Sequence, residues 1–405
     1  MRITTKELKL KNGTKILYTK KIGDPFFSLS IGINVGKINE NNNNRGISHY
    51  IEHMCFNGTK KYTKDEISNI PYKCGGDFNA NTGKIMTQYT IQHLKEYAEE
   101  AIDLMTQLVF FPIFPKELMQ KEKKIVIEEL KQSKDDSYSI AFELFYSAFK
   151  DERLKHPTIG YEDTINSYTK NDILEYYNKY YNTNNLIISV CCDIDEYELL
   201  KLLEQYIPYR EGKAVENIKF NLNTSFYIEN FKSDIQQGIL LYNISFDRED
   251  LVTAEVLNFI YGEGMNSRLF KKIREEKSLC YEIGSYIQSV HNLNNLCTYI
   301  SFSDFNKKDE IIEEISFILL DMIENLKDEE IEISKIQAKR NILIEEENSS
   351  RLCFNKPGRY FNNEYINSID FISEIEKVTK ENIICLIKKI IKKDNKQIAF
   401  LNKND

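Results

Sequence analysis

The densest chemistry in this chain lies in five consecutive residues, His49-Tyr50-Ile51-Glu52-His53. On a helix, positions i, i+3 and i+4 share one face, so two imidazoles and a carboxylate would project together. Imidazoles four residues apart can grip one metal ion, and the carboxylate between them can reach a water on that ion. The order His-x-x-Glu-His inverts the commoner His-Glu-x-x-His zinc motif. The whole chain holds five histidines, so a pair at helical spacing stands out. The other three, His93, His156 and His291, are isolated in sequence and read as structural. The pattern suggests metal-assisted hydrolysis.

The same helix has a second stripe. Ile47, Tyr50, Ile51 and Met54 fall at i, i+3, i+4 and i+7, a face suited to docking on a sheet. No lysine or arginine lies between His49 and His53, so Glu52 has no local cationic partner. A divalent cation would supply one; the plainer alternative is an exposed polar helix face.

A catalytic zinc takes three protein ligands and leaves a fourth position for water. The segment Glu122-Lys123-Lys124-Ile125-Val126-Ile127-Glu128-Glu129-Leu130 offers the third. Glu128 falls among Lys121, Lys124 and Lys131, a solvated charge-paired face. Glu129 aligns with Ile125, Val126 and Glu122, where an unpaired carboxylate would be costly. This favours Glu129 as ligand, with Glu122 two turns earlier as a supporting carboxylate. On helical geometry alone, a surface role for Glu129 weighs equally.

These residues need a scaffold, and 405 residues exceed one ordinary core, which implies two domains. Thr169-Lys170-Asn171-Asp172-Ile173-Leu174 reappears as Thr379-Lys380-Glu381-Asn382-Ile383-Ile384, an offset of 210 residues. At that offset Lys179 matches Lys389, Asn185 matches Asn395 and Ile188 matches Ile398. A period near half the chain implies two similar domains. We place them at 1–207 and 223–405, joined by a linker at 208–222. Strands are expected at Lys15 to Thr19, Phe26 to Val35, Gly238 to Ile244 and Tyr281 to Phe302. A hairpin is expected over Phe78 to Ile91, and helices over Glu96 to Val109 and Lys116 to Ser133. Strands grouped in blocks favour α+β, with each domain a mainly antiparallel sheet carrying helices.

Composition narrows the function. The chain is 41% hydrophobic and 29% charged, the balance of a globular protein. A net charge of −8 argues against nucleic-acid binding. No apolar run nears the ~18 residues of a membrane span. The start, Met1-Arg2-Ile3-Thr4-Thr5-Lys6-Glu7, has no apolar signal core. Eight cysteines contain no Cys-x-x-Cys pair. Reduced thiols and a cytoplasmic location are the expectation.

The run Gly46-Ile47-Ser48-His49-Tyr50-Ile51-Glu52-His53-Met54-Cys55-Phe56-Asn57-Gly58-Thr59-Lys60 resembles the core motif of the pitrilysin/insulinase zinc peptidases, whose half-length bacterial members are similar to mitochondrial processing peptidase. In that family the distal glutamate ligand follows the second histidine by about 76 residues, and Glu129 stands 76 after His53. Gly75-Gly76-Asp77-Phe78-Asn79-Ala80-Asn81-Thr82 is similar to the Gly-Gly-x-x-Asn-Ala-x-Thr signature. Asn266-Ser267-Arg268-Leu269-Phe270, continuing to Tyr281, resembles the arginine/tyrosine element, with Arg274 and Tyr281 seven apart. Tyr50-Ile51 replaces a frequent Phe-Leu and Cys280 a usual alanine; neither change removes a chemical group.

The resemblance implies a zinc-dependent endopeptidase acting on unfolded peptides or oligopeptides. His49, His53 and Glu129 would hold Zn2+, and Glu52 would act as general base toward a zinc-bound water. It further implies that Arg274 and Tyr281 bind the substrate backbone and stabilise the tetrahedral intermediate. The Asn79-Ala80 strand would pair with an extended peptide. Half-length members resemble one half of a four-domain clamshell, which implies a homodimer, or a heterodimer with a related subunit, whose Arg274 and Tyr281 serve the partner's zinc site. Leader or precursor processing is one role within this class. The competing reading is a non-catalytic peptide-binding scaffold or core-type subunit, which would often have lost one of His49, Glu52, His53 or Glu129. A zinc-stabilised binding module would be richer in cysteine ligands.

Overall fold

The structure is a computed structural model that describes residues 3–220, 225–233, 235–392 and 395–403. Positions 221–222 of the expected linker lie outside the described residues, as do 1–2, 223–224, 234, 393–394 and 404–405 of the expected domains. The chain divides into two compact units. The first comprises 1–131, 156–217 and 343–369; the second comprises 132–155, 218–342 and 370–405.

The first unit is built on strands β1 (Thr5–Lys9), β2 (Lys15–Lys20), β3 (Phe26–Ile33), β4 (Asp77–Thr82), β5 (Thr87–Leu94) and β6 (Leu186–Cys192). They form one sheet in the order β1-β2-β6-β3-β5-β4, antiparallel except for the β2–β6 pair. Strand β3 shows why the sheet is buried on both faces. Phe27, Leu29, Ile31 and Ile33 alternate with Ser28, Ser30 and Gly32, and every one of the seven is buried. The apolar set joins a core with helices α1 (Ile47–Cys55), α2 (Lys64–Lys73), α3 (Ala98–Phe110) and α4 (Lys116–Asp135).

The small polar set of β3 and its neighbours meets the helix Ser349–Phe361. There Gln88 Nε2 donates to Ser30 Oγ at 2.7 Å and to Phe354 O at 2.5 Å. Cys353 Sγ donates to Ser189 O at 3.1 Å. Any Cβ on Gly32 would lie 2.6 Å from Pro357 Cβ, so the close helix–sheet approach requires glycine.

The second unit repeats the plan. Strands β7 (Phe226–Lys232), β8 (Gly238–Phe246), β9 (Glu282–Val290), β10 (Leu293–Phe302) and β11 (Lys396–Lys403) form a sheet in the order β7-β11-β8-β10-β9. Only β7–β11 is parallel. Matching β2, β6, β3, β5 and β4 to β7, β11, β8, β10 and β9 gives the same neighbours and the same chain order. The 210-residue repeat is this duplication: Ile188 lies in β6 and Ile398 in β11. The α+β architecture of two mainly antiparallel sheets with packed helices is as the sequence patterning implied.

The division of the chain differs from a single boundary at 208–222. Both sheets fall on their expected sides, but two helical segments do not. Segment 343–369 of the C-terminal half, including Ser349–Phe361, belongs to the first unit. Segment 132–155 of the N-terminal half, including α5 (Ser137–Ser147), belongs to the second, where α5 packs on β11 and β8. The reason is burial: each sheet has two apolar or small faces, and the helices adjacent in sequence cover only one of them. Among the described residues no helix is long and apolar enough to cross a membrane.

Candidate metal centre

Helix α1 carries the inverted motif, and its docking stripe behaves as its spacing requires. Ile47, Tyr50, Ile51 and Met54 are fully buried, each contributing roughly 1.5–3 kcal/mol of transfer free energy. The start of α1 is fixed from outside the helix. The buried Glu40 carboxylate accepts from Gly46 N at 2.7 Å and Ser48 N at 3.0 Å, taking two otherwise unpaired N–H groups. Burial pushes the Glu40 carboxyl up to about 8 against the pull of those two bonds. Gly46 itself has φ +91°, and a Cβ there would stand 2.4 Å from Ile159 O.

The opposite stripe faces a cavity of about 480 Å3, lined by His49, Glu52, His53, Phe56, Asn57, Lys64, Phe78, Asn79, Ala80, Glu122 and Glu129. The Nε2 atoms of both histidines turn toward one carboxylate oxygen. His53 Nε2 lies 3.4 Å and His49 Nε2 3.8 Å from Glu129 Oε2, and the ligand atoms of the three residues lie within 4.8 Å of one another. A tetrahedral ion with bonds near 2.0–2.1 Å needs donors about 3.4 Å apart. The His2Glu donor set and its spacing fit zinc with only small adjustments, and among the described residues no histidine other than His49 and His53 stands in such a cluster of donors.

The two rings differ in protonation, and a bound cation would have to displace a proton from His53 but not from His49. Burial, with His53 nearby, pushes His49 down to about 3, leaving the ring neutral. The His53 ring is held at Nδ1, 3.0 Å from Glu122 Oε1. Burial opposes charge on this ring, but the Glu122 bond and the surrounding carboxylates raise it above the usual imidazole value. That bond sets the tautomer and makes Nε2 the more basic donor. Burial alone would push Glu122 up; the bonds from His53 and Asn57 hold it below the usual carboxylate range.

Glu52 lines the same cavity as the two histidines and is 7% exposed. Burial pushes its carboxyl up to about 7, against the hydroxyl of Thr82 and the charge of His53, with Glu129 adding to the rise. Thr82 Oγ1 donates to Glu52 Oε2. A carboxyl near 7 suits proton transfer in both directions at neutral pH.

Glu129 differs from its sequence expectation in surroundings. Val126 is buried, but Ile125 is 37% exposed, and the Glu129 side chain is 41% exposed at the cavity. Its carboxylate lies against the two imidazoles at the cavity and is not shielded by apolar side chains. Glu128 points away and pairs with Lys131 at 2.7 Å. His93 and His291 are buried elsewhere, and His156 is buried against backbone carbonyls of Lys37 and Pro157.

Asn79 and Ala80 lie on β4, the edge strand of the first sheet, paired on one side with Thr90 and Tyr89 of β5. Their outer side has no strand partner among the described residues. In the second unit, the segment Phe270–Glu276 is wound more loosely than an α-helix, with Lys277 N bonding Lys272 O at 3.2 Å. It brings the Arg274 guanidinium over the Phe270 ring at 4.7 Å and the Tyr281 ring at 5.5 Å. Tyr281 is 72% exposed. The repeat copy of the motif helix, Leu251–Tyr261, carries no histidine.

Three contacts were not anticipated from the sequence. Thr82 closes the Gly-Gly-x-x-Asn-Ala-x-Thr signature, which was its only advance signal. Asn57 lies in the motif run, 3% exposed and bonded to Glu122. Lys64 had no signal at all.

Comparison with known proteins is consistent with this geometry. The pattern of Insulinase (Peptidase family M16) matches residues 15–162, and that of the Peptidase M16 inactive domain matches residues 167–338. An uncharacterized zinc protease of Rickettsia felis is 30% identical over 348 residues, 84% of this chain and 83% of its own. The beta subunit of mitochondrial-processing peptidase from Caenorhabditis elegans is 22% identical over 71% of this chain and 68% of its own. A protease from Helicobacter pylori has the same fold, with a TM-score of 0.90 at 18% identity over 99% of this chain and 100% of that one. Likeness of this extent, over most of both chains, makes the protein a member of peptidase family M16, the family its motifs resemble.

Proposed function

We propose that the protein is a zinc-dependent endopeptidase that cleaves extended segments of unfolded peptides. The observation that carries this is the convergence of His49 Nε2, His53 Nε2 and Glu129 Oε2 beside the buried Glu52 carboxylate. His49, His53 and Glu129 would hold the ion. Zinc, when bound, supplies Lewis acidity that lowers the pKa of a water toward about 7.

The remaining work falls to the chain. Glu52 takes the proton of the attacking water and returns it to the leaving amine. Thr82 fixes the carboxylate's orientation through Oε2. The free side of β4 at Asn79 and Ala80 aligns an extended peptide by adding it as a strand. Folded substrates offer few such strands, which limits the reaction to unfolded chains.

By likeness to the family, Arg274 and Tyr281 bind substrate backbone and stabilise the oxyanion, each serving the zinc site of a partner chain in a homodimer. Retention of all four of His49, Glu52, His53 and Glu129 favours catalysis over a scaffold role. A cytoplasmic oligopeptidase or precursor-processing role is consistent with this chemistry. Mapping cuts in a random peptide library with the zinc-loaded protein tests the reading. Cleavage that depends on zinc and on Glu52 supports it; a zinc-loaded protein that cuts nothing overturns it.

A further inference from the structure

Glu122 connects the metal position to a chain of contacts that reaches the mouth of the cavity. Its Oε1 meets His53 Nδ1 at 3.0 Å, and its Oε2 accepts from Asn57 Nδ2 at 2.8 Å. Asn57 Nδ2 also donates to His53 O at 3.0 Å. Lys64 Nζ, at the start of α2, donates to Asn57 Oδ1 at 2.6 Å and lies 3.7 Å from Glu122 Oε2. Three separate elements therefore meet at one buried amide: α1 with its exit turn, α2 and α4.

The chemistry of that amide gives the contacts a direction. An asparagine amide presents an acceptor on one side and donors on the other, and a half-turn exchanges them. An ammonium has donors only, so Lys64 accepts just the orientation with Oδ1 toward it. That orientation turns Nδ2 to Glu122. The reverse would set Oδ1 against a carboxylate and Nδ2 against an ammonium, two repulsive contacts beside a buried group. Charge also balances in this arrangement. Glu52, Glu122 and Glu129 bring three carboxylates to the cavity, a divalent cation offsets two, and Lys64 supplies the remaining positive charge.

We propose that Asn57 and Lys64 are positioning residues for metal binding: Lys64 orients the Asn57 amide, the amide anchors Glu122, and Glu122 holds His53 with Nε2 toward the metal. The inference rests on the zinc reading of this same site. The bland alternative is a surface ion pair between Lys64 and Glu122. Lys64 is 42% exposed, and at 3.7 Å such a pair contributes little. The shorter bond goes to the buried amide.

The test is zinc affinity of the full-length chain, measured by competition with a chromophoric chelator at fixed neutral pH. Asn57→Ala weakens zinc about tenfold, the scale of a lost partner behind a ligand. Lys64→Met weakens it several-fold in the native background, and by less than about twofold in the Asn57→Ala background, because its route is gone. Lys64→Arg, which keeps donors toward Oδ1, restores most of the affinity. If Asn57→Ala fails to fold, the Lys64→Met and Lys64→Arg pair decides the matter, since Lys64 is half-exposed. Equal loss from Lys64→Met in both backgrounds, or native affinity in that variant, overturns this inference alone. A native chain that binds no zinc overturns the metal reading, and this inference with it.

Discussion

Thr82, the last residue of edge strand β4, donates its hydroxyl hydrogen to the Oε2 of Glu52 on helix α1. The strand that would align a peptide and the carboxylate that would activate water are thereby one mechanical unit. A shift of the edge strand would move the base with it.

Removing that hydroxyl has a defined sign. The bond favours ionised Glu52 and opposes the rise caused by burial. Thr82→Val therefore raises the Glu52 pKa, so less carboxylate is present at and below neutrality. The acidic limb of the kcat/KM profile moves to higher pH, while zinc content stays unchanged. A pH–rate series on both proteins checks this; coincident acidic limbs would show that Thr82 leaves the base untouched.

Glu52→Gln preserves shape but cannot take a proton. It keeps zinc and loses peptide hydrolysis by on the order of 10²–10⁴-fold. Chelation abolishes native activity, and added zinc restores it. Glu129→Gln instead weakens zinc itself by roughly 100-fold, so excess metal rescues it while Glu52→Gln stays inactive. Metal analysis alongside peptide cleavage separates the two variants. Native turnover by metal-replete Glu52→Gln would reject the base assignment.

A site shared between chains predicts complementation. His49→Ala and Arg274→Ala are each inactive as pure dimers. Co-expressed, they form mixed dimers in which one zinc site and one Arg274–Tyr281 pair remain intact in opposite chains. Activity then returns toward half of native per mixed dimer. Purified mixed dimers with no activity would sink the trans arrangement while leaving the zinc reading in place.

The motif helix depends on its entry. Gly46 sits at φ +91° with Ile159 O where a Cβ would go. Gly46→Ala costs about 2 kcal/mol or more in unfolding free energy, from the disfavoured backbone region and the clash together. Denaturant melts of the metal-free chain measure it. A change under about 0.5 kcal/mol would show that the loop relaxes freely.

The sequence is most informative about this protein where interactions are local. His49, Glu52 and His53 share a face because helical geometry sets that relation within five residues. Ile47, Tyr50, Ile51 and Met54 reach the core for the same reason. The 210-residue repeat was legible because helix and strand both recur in order, and β6 and β11 occupy equivalent places in their sheets. Glu129 was harder. Local geometry left it level with a surface role, and only its family spacing singled it out before the cavity did.

Contacts between distant segments had no such local signal. Thr82 and Glu52 are 30 residues apart, and Glu122 is 69 from His53 and 65 from Asn57. No periodicity relates residues on different elements. The exchanged helices escaped for a similar reason: Ser349–Phe361 is amphipathic and Ser137–Ser147 is mostly apolar, but nothing local states which sheet each one covers.

The sequence alone determined the motif, its helical face, the duplicated α+β plan and the family, because each follows from short-range spacing or ordered recurrence. Tertiary structure decided the rest: which oxygen the two imidazoles converge on, what holds His53 and Glu52 in place, and which helix closes each sheet. Those are meetings of surfaces far apart along the chain, selected by burial and by pairing of polar atoms after the elements have formed.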